Sequence, residues 1–188
     1  MFEQTLSGLI KALRSKKDQE TQIINQSLKE IHQEIKSIDL PLKSNAILKL
    51  SYLDMLGYHQ LFNYSFNVIE CMSSNLFEYK QIGYMAAAQS FGPHTEVSML
   101  TTNLVKKDLV SHSSSNQSKS FFNQLSSSSS SSTQISSTPP ILSITLAALP
   151  HLLTPQNYID LAPDLIILLN HSKPSIRTRA IILINTLA

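Results

Sequence analysis

The sequence predicts an all-α chain, an α-solenoid of stacked helical pairs, on three observations. Apolar residues recur at three- and four-residue steps along most of its 188 residues, no segment alternates with period two, and a short basic-to-small motif returns at near-constant spacing. The first long helix carries Ile23, Ile24, Leu28, Ile31, Ile35 and Ile38 on one stripe, with Lys29, Glu30, Gln33 and Glu34 between them. Pro41 suits the first turn of the next helix, whose apolar positions are Ala46, Ile47, Leu50, Leu53 and Leu56 and whose stop is Gly57. Shorter helices follow over Tyr64–Met72 and Glu78–Gln89. Gly92-Pro93 punctuates the chain, and Val97, Leu100, Leu104 and Leu109 mark a further helix. Beyond a serine-rich stretch, Thr154-Pro155 reads as a cap with proline at the first helical position, and Pro163 interrupts that helix or delays its start. Ser172-Lys173-Pro174 opens a last helix with Ile176, Ala180, Leu183, Ile184 and Leu187 on one side.

The segment Ser111–Thr138 has 15 serines among its residues and few bulky apolar side chains, Phe121, Phe122 and Leu125 among them. It cannot bury enough apolar surface to offset chain entropy, so it is expected to be a disordered insertion. Domain organisation follows from it: helices over 1–110, the insertion over 111–138, and a continuation of the same stack over 139–188. The repeat is visible across it. Lys43, Lys80 and Arg177 each stand three residues before a small residue, Ala46, Gly83 and Ala180 respectively. Ala46 and Gly83 are 37 residues apart, and Thr145 lies 35 before Ala180. Units of that length, each a helical pair, match a solenoid of HEAT or armadillo type with a right-handed superhelix. The small residue is expected to let one helix of each pair approach its neighbour closely. The aromatic group Tyr52, Tyr58, Phe62, Tyr64 and Phe66 is expected to pack between adjacent pairs.

Composition narrows the function. A formal net charge of +2 does not suit a general nucleic-acid binder, and four glycines are too few for a glycine-loop nucleotide enzyme. The one cysteine, Cys71, rules out an internal disulfide and a multi-cysteine zinc site, and is expected to be a core thiol. The six histidines show no paired spacing for a metal, and no nucleophile has a base at motif distance. Neither Ile141–Leu153 nor Leu161–Leu169 is long enough to span a bilayer, and the first 25 residues contain no apolar signal core, so the expected location is cytoplasmic. The chain is therefore read as a non-enzymatic binding scaffold without cofactor or metal. On these grounds alone a generic HEAT or armadillo scaffold for a protein ligand, such as a nuclear-transport adaptor, stays open.

Several collinear strings carry a resemblance. They are Lys49-Leu50-Ser51-Tyr52-Leu53-Asp54-Met55-Leu56-Gly57-Tyr58, Lys80-Gln81-Ile82-Gly83-Tyr84, Met99-Leu100-Thr101-Thr102-Asn103 with Lys106-Lys107-Asp108-Leu109, and Lys173-Pro174-Ser175-Ile176-Arg177. In order and spacing they resemble the N-terminal trunk of the large adaptins, and Ala87-Ala88-Gln89-Ser90-Phe91 looks most like the delta branch, that of adaptor protein complex 3. The resemblance covers nearly the whole chain except the serine-rich stretch. It implies a vesicle-coat subunit that sorts transmembrane cargo at Golgi and endosomal membranes towards the lysosome or vacuole. Its implied partners are the small sigma, medium mu and large beta subunits, dileucine cargo tails, an Arf-type small GTPase and an anionic membrane surface, with no nucleic acid. It also implies that the trunk cradles the sigma subunit and helps form the pocket for acidic dileucine signals. The chain stops at Ala188 within a predicted helix, so the resemblance implies that more trunk, a hinge and an ear are missing here.

Candidate site residues follow from the resemblance and from charge. The family places an arginine at Arg14 against the acidic residue of a dileucine signal, a role that suits a guanidinium's paired donors. Lys16, Lys17, Lys43 and Lys49 are candidates for the membrane or a phosphoinositide, since each lysine near an anionic surface contributes about 1 kcal/mol. Of the lysine cluster found in alpha adaptins only Lys43 is matched here, because Ser44 and Asn45 are neutral. Lys106, Lys107, Arg177 and Arg179 are expected to be structural or solvent-facing.

Overall fold

The computed structural model describes residues 5–58, 60–92, 97–113 and 139–187. Among them the chain forms α1 (Leu6–Ser15), α2 (Glu20–Glu34), α3 (Leu40–Met55), α4 (Ser65–Met72), α5 (Phe77–Ser90), α6 (Ser98–Ser113), α7 (Pro139–Leu152), α8 (Pro155–Leu168) and α9 (Pro174–Leu187). Short 3₁₀ turns at Lys17–Gln19 and Leu61–Tyr64 lead into α2 and α4, and no strand occurs among the described residues. The all-α solenoid reading holds. The chain divides into two compact units, Met1–Phe91 with α1–α5 and Gly92–Ala188 with α6–α9. Within the first, α3 packs on α1, α2, α4 and α5. Within the second, α6 lies against α7 and α8, and α9 against α7 and α8. Contact with the adjacent helix and with the helix two places along is the packing of stacked pairs. Helix α6 packs on α7 and α8, the helices beyond the insertion. Of the expected disordered insertion, residues 114–138 lie outside the described residues.

Local sequence explains the helix ends. The Thr5 hydroxyl accepts from the Gly8 amide at 3.3 Å and caps α1, and Thr154 does the same for α8 through the Asn157 amide at 3.3 Å. Gly57, at φ 98°, closes α3: its amide reaches the Asp54 carbonyl at 3.0 Å and the Tyr58 amide reaches Leu53 at 3.1 Å. Helix α8 starts at Pro155 and continues past Pro163, so its start is not delayed.

The small residues sit where the repeat places them. Ala46 in α3, Gly83 in α5, Thr145 in α7 and Ala180 in α9 are all buried. Thr145 fits there because its hydroxyl donates to the Ile141 carbonyl at 3.0 Å, which satisfies the polar group within its own helix. At Gly83 the approach is closest: a Cβ added there would lie 2.4 Å from the Met72 backbone nitrogen and 2.9 Å from the Cys71 carbonyl carbon. The obstacle is the α4 backbone, which cannot rotate aside as a side chain can.

Three expected stripes are corrected. Ile38 is 98% exposed because α2 ends at Glu34 and Ile38 falls in the turn before α3. Val97, just before α6, and Thr101, Val105, Asp108 and Leu109 within it are buried, while Leu100 is exposed. Thr101 enters the core because its hydroxyl donates to the Val97 carbonyl at 3.1 Å. Phe62 and Phe66, expected between helical pairs, are 55% and 61% exposed. They lie one helical turn apart, opposite the buried Leu61, Val68 and Met72.

Gly83→Ala is expected to lower the unfolding free energy by about 2 kcal/mol or more, because a methyl group must push two helix backbones apart. Urea denaturation followed by circular dichroism measures it, with Ala88→Gly in the same helix as a control for propensity alone, expected to cost about 1 kcal/mol.

Candidate functional site

The candidate cations separate into two groups by the helices that carry them. Helix α3 is enclosed by four helices, and its buried residues include Lys43, Ser44, Lys49 and Ser51 besides the apolar set. Lys43 is 5% exposed and Lys49 is 2% exposed. A buried ammonium needs a counter-charge, and each has one. Lys43 Nζ meets Glu70 Oε2 of α4 at 2.5 Å. Lys49 Nζ pairs with Glu34 Oε2 of α2, whose side chain is itself mostly buried. Both lysines therefore tie α3 to its neighbours and cannot present their charge to a membrane headgroup, which corrects the sequence expectation for them. The physical reason is that both lie on the side of α3 that its neighbours cover, away from the exposed Pro41 and Met55. The acids that neutralise the two lysines lie 27 and 15 residues away in sequence, beyond any helical i, i+4 signal.

Other basic residues are also structural. Lys80 is 6% exposed and lies 5.9 Å from the centroid of the Tyr84 ring. Arg177 Nη1 donates to the carbonyls of His171 and Ser172 at 2.8 and 3.1 Å, so it clasps the turn before its own helix. Arg179 donates to the Ser143 carbonyl of α7 at 2.7 Å. Lys106 and Lys107 face solvent. Cys71 is buried: burial and then the Glu70 carboxylate push its thiol up to about 12, against the opposing pull of Lys43. It is a core thiol with no thiolate at neutral pH.

The exposed cations are on α1. Leu9 and Leu13 face inward and α1 packs on α2 and α3, which turns Lys11, Arg14 and Ser15 to solvent. Arg14 stands in the last turn, where the helix dipole favours a cation. Lys16 follows as the exposed C-cap, its amide bonded to the Ala12 carbonyl at 3.2 Å. The side chain of Lys17 lies outside the described residues. Sequence reasoning singled out Arg14 and Lys16 but passed over Lys11, whose signal is its position three residues before Arg14 on a helix without an acidic residue. Among the described residues there is no cluster of histidine, cysteine and carboxylate side chains that could hold a metal, and no helix long and apolar enough to cross a membrane.

Comparison with known proteins agrees with this geometry. The family model described as the adaptin N terminal region matches residues 20–188. The AP-3 complex subunit delta of Schizosaccharomyces pombe is 42% identical over 98% of this chain, and AP-3 complex subunit delta-1 of Bos taurus is 38% identical over 97% of it. The chain spans 19% and 13% of the length of those two relatives. Among structures, a homology model of the full-length AP-3 complex in an intermediate open conformation matches 79% of this chain and 22% of its own, at 34% identity and a TM-score of 0.57.

Lys49→Ala is expected to cost about 3–5 kcal/mol, because it strands Glu34 in the interior. Lys43→Ala is expected to cost less, since Glu70, its side chain 49% exposed, can take up water in place of the ammonium. Denaturation midpoints of the two variants check the order.

Proposed function

The chain belongs to the adaptin family, as the N-terminal trunk region of a delta-type large subunit, and from that premise we propose that it works as a non-enzymatic scaffold of a vesicle-coat adaptor complex. The observation that carries the proposal is identity to AP-3 delta subunits along nearly the whole chain, with the solenoid pairs in place and Arg14 free of the core. Its partners are the small sigma, medium mu and large beta subunits. With sigma it forms half of the pocket for acidic dileucine tails of transmembrane cargo bound for the lysosome or vacuole. It acts in the cytoplasm, peripheral on Golgi and endosomal membranes, and an Arf-type small GTPase brings the complex there.

Arg14 suits its part. It is exposed on a short helix whose inner face is locked by Leu9 and Leu13, so the guanidinium is held on a rigid support. A planar guanidinium takes a carboxylate through two parallel hydrogen bonds. The membrane contribution shifts to Lys16 and Lys17, since the α3 lysines are used inside. With so few cations the lipid term is small, about 1 kcal/mol for each exposed lysine. Simultaneous engagement of cargo, GTPase and lipid then supplies avidity that no single contact provides.

Arg14→Ala is expected to weaken binding of an acidic dileucine peptide to the sigma-bound trunk by about tenfold, the loss of one charge-assisted bidentate pair. The melting temperature is expected to stay unchanged, because Arg14 supports no packing. Titration calorimetry with the peptide, and with its acidic residue replaced by glutamine, measures both effects. Unchanged affinity removes Arg14 from the site.

A further inference from the structure

We infer that Lys11 is a second cation of the acidic-signal site and that it selects for peptides carrying two adjacent carboxylates; this rests on the reading of Arg14 given above. Lys11 and Arg14 stand three residues apart on α1, a spacing that puts their side chains side by side on one helix face. Both are exposed. Among the described residues neither meets a carboxylate, and α1 contains no acid at all. Two like charges at this spacing disfavour the helix slightly. The dipole offsets this for Arg14, which is in the last turn, but not for Lys11, one turn further from the C-terminus. Lys43 and Lys49 of the same unit are neutralised by specific acids, and Lys29 and Lys36 are exposed but stand singly, with no second lysine or arginine three or four residues away. Among the described residues Lys11 and Arg14 are thus a pair without a counter-charge on one face of α1.

An extended peptide with one carboxylate occupies the Arg14 fork and leaves Lys11 solvated. A peptide with two neighbouring carboxylates places the second against the Lys11 ammonium, a compact point charge that tolerates a looser approach than the guanidinium does. Lys11 therefore sets the discrimination between singly and doubly acidic signals, while Arg14 sets binding of both.

The test uses the adaptor complex carrying this trunk, with dileucine peptides bearing Glu-Glu, Glu-Gln or Gln-Gln at the acidic positions. Lys11→Gln keeps a good helix former at the site. It is expected to weaken the Glu-Glu peptide about two- to fivefold, in line with an exposed ion pair, and to leave the Glu-Gln peptide unchanged. Lys11→Arg is expected to restore the preference. Equal loss for both peptides, or no loss for either while Arg14→Ala still weakens both, overturns the role of Lys11 and leaves the signal site standing. No effect of Arg14→Ala overturns the underlying reading instead. Vesicles containing anionic lipid form the remaining arm: Lys11→Gln reducing vesicle binding with peptide affinities intact would make Lys11 a membrane contact and overturn the inference.

Discussion

The stack depends on how closely the helices of a pair approach. At Gly83 there is no room for a methyl group, since the α4 backbone at Cys71 and Met72 occupies the space a Cβ would need. The same position is alanine in α3 and α9 and threonine in α7, each buried. Close approach brings the two backbones into dispersion contact along their length and fixes the register between helices. Everything around α3 follows from that. A helix enclosed on four sides cannot leave a lysine in water, so Lys43 and Lys49 have to be matched by acids from α4 and α2. The pairs add cross-links whose value lies in the cost of breaking them rather than in net stability.

That enclosure also decides what remains available for partners. Charge taken inside the first unit is charge withheld from its surface. Among the described residues the exposed cations of this unit are Lys11, Arg14 and Lys16 at α1, a helix that packs on α2 and α3 with Leu9 and Leu13 buried, and the single lysines Lys29 and Lys36. The proposed signal site lies at the periphery of a packed stack, where a side chain can be free without being loose. On the proposed reading, Arg14 takes a carboxylate by geometry there, and Lys11 sets how much negative charge the ligand has to bring.

Much of this was legible in the sequence. Helical periodicity, Pro41, Gly57 and Thr154 located the elements, because capping and turn chemistry act over a few residues. The repeat of small residues located buried positions in α3, α5, α7 and α9, because Ala46, Gly83, Thr145 and Ala180 keep near-constant spacing on either side of the insertion. What could not be read was which side of a helix becomes interior when several neighbours surround it. Lys43 and Lys49 looked like surface charge for that reason, and their acids are distant in sequence. Leu100 looked like core because leucine outranks threonine in hydrophobicity, yet Thr101 satisfies its hydroxyl on its own helix and takes the inner position. Phe62 and Phe66 looked like packing residues because aromatic side chains usually are, whereas Phe62 in the 3₁₀ turn at Leu61–Tyr64 and Phe66 in the first turn of α4 are both exposed. Lys11 was overlooked for the opposite reason: one exposed lysine carries no signal until the face it shares with Arg14 is seen.

The central claim is that this chain is the part of a delta-type adaptin that holds the small subunit. The most direct measurement is co-expression with the sigma subunits of the different adaptor complexes, followed by affinity purification and size exclusion. The account predicts a one-to-one complex with the sigma subunit of adaptor protein complex 3 and none with the others. A folded, soluble chain that elutes without any sigma partner would contradict it.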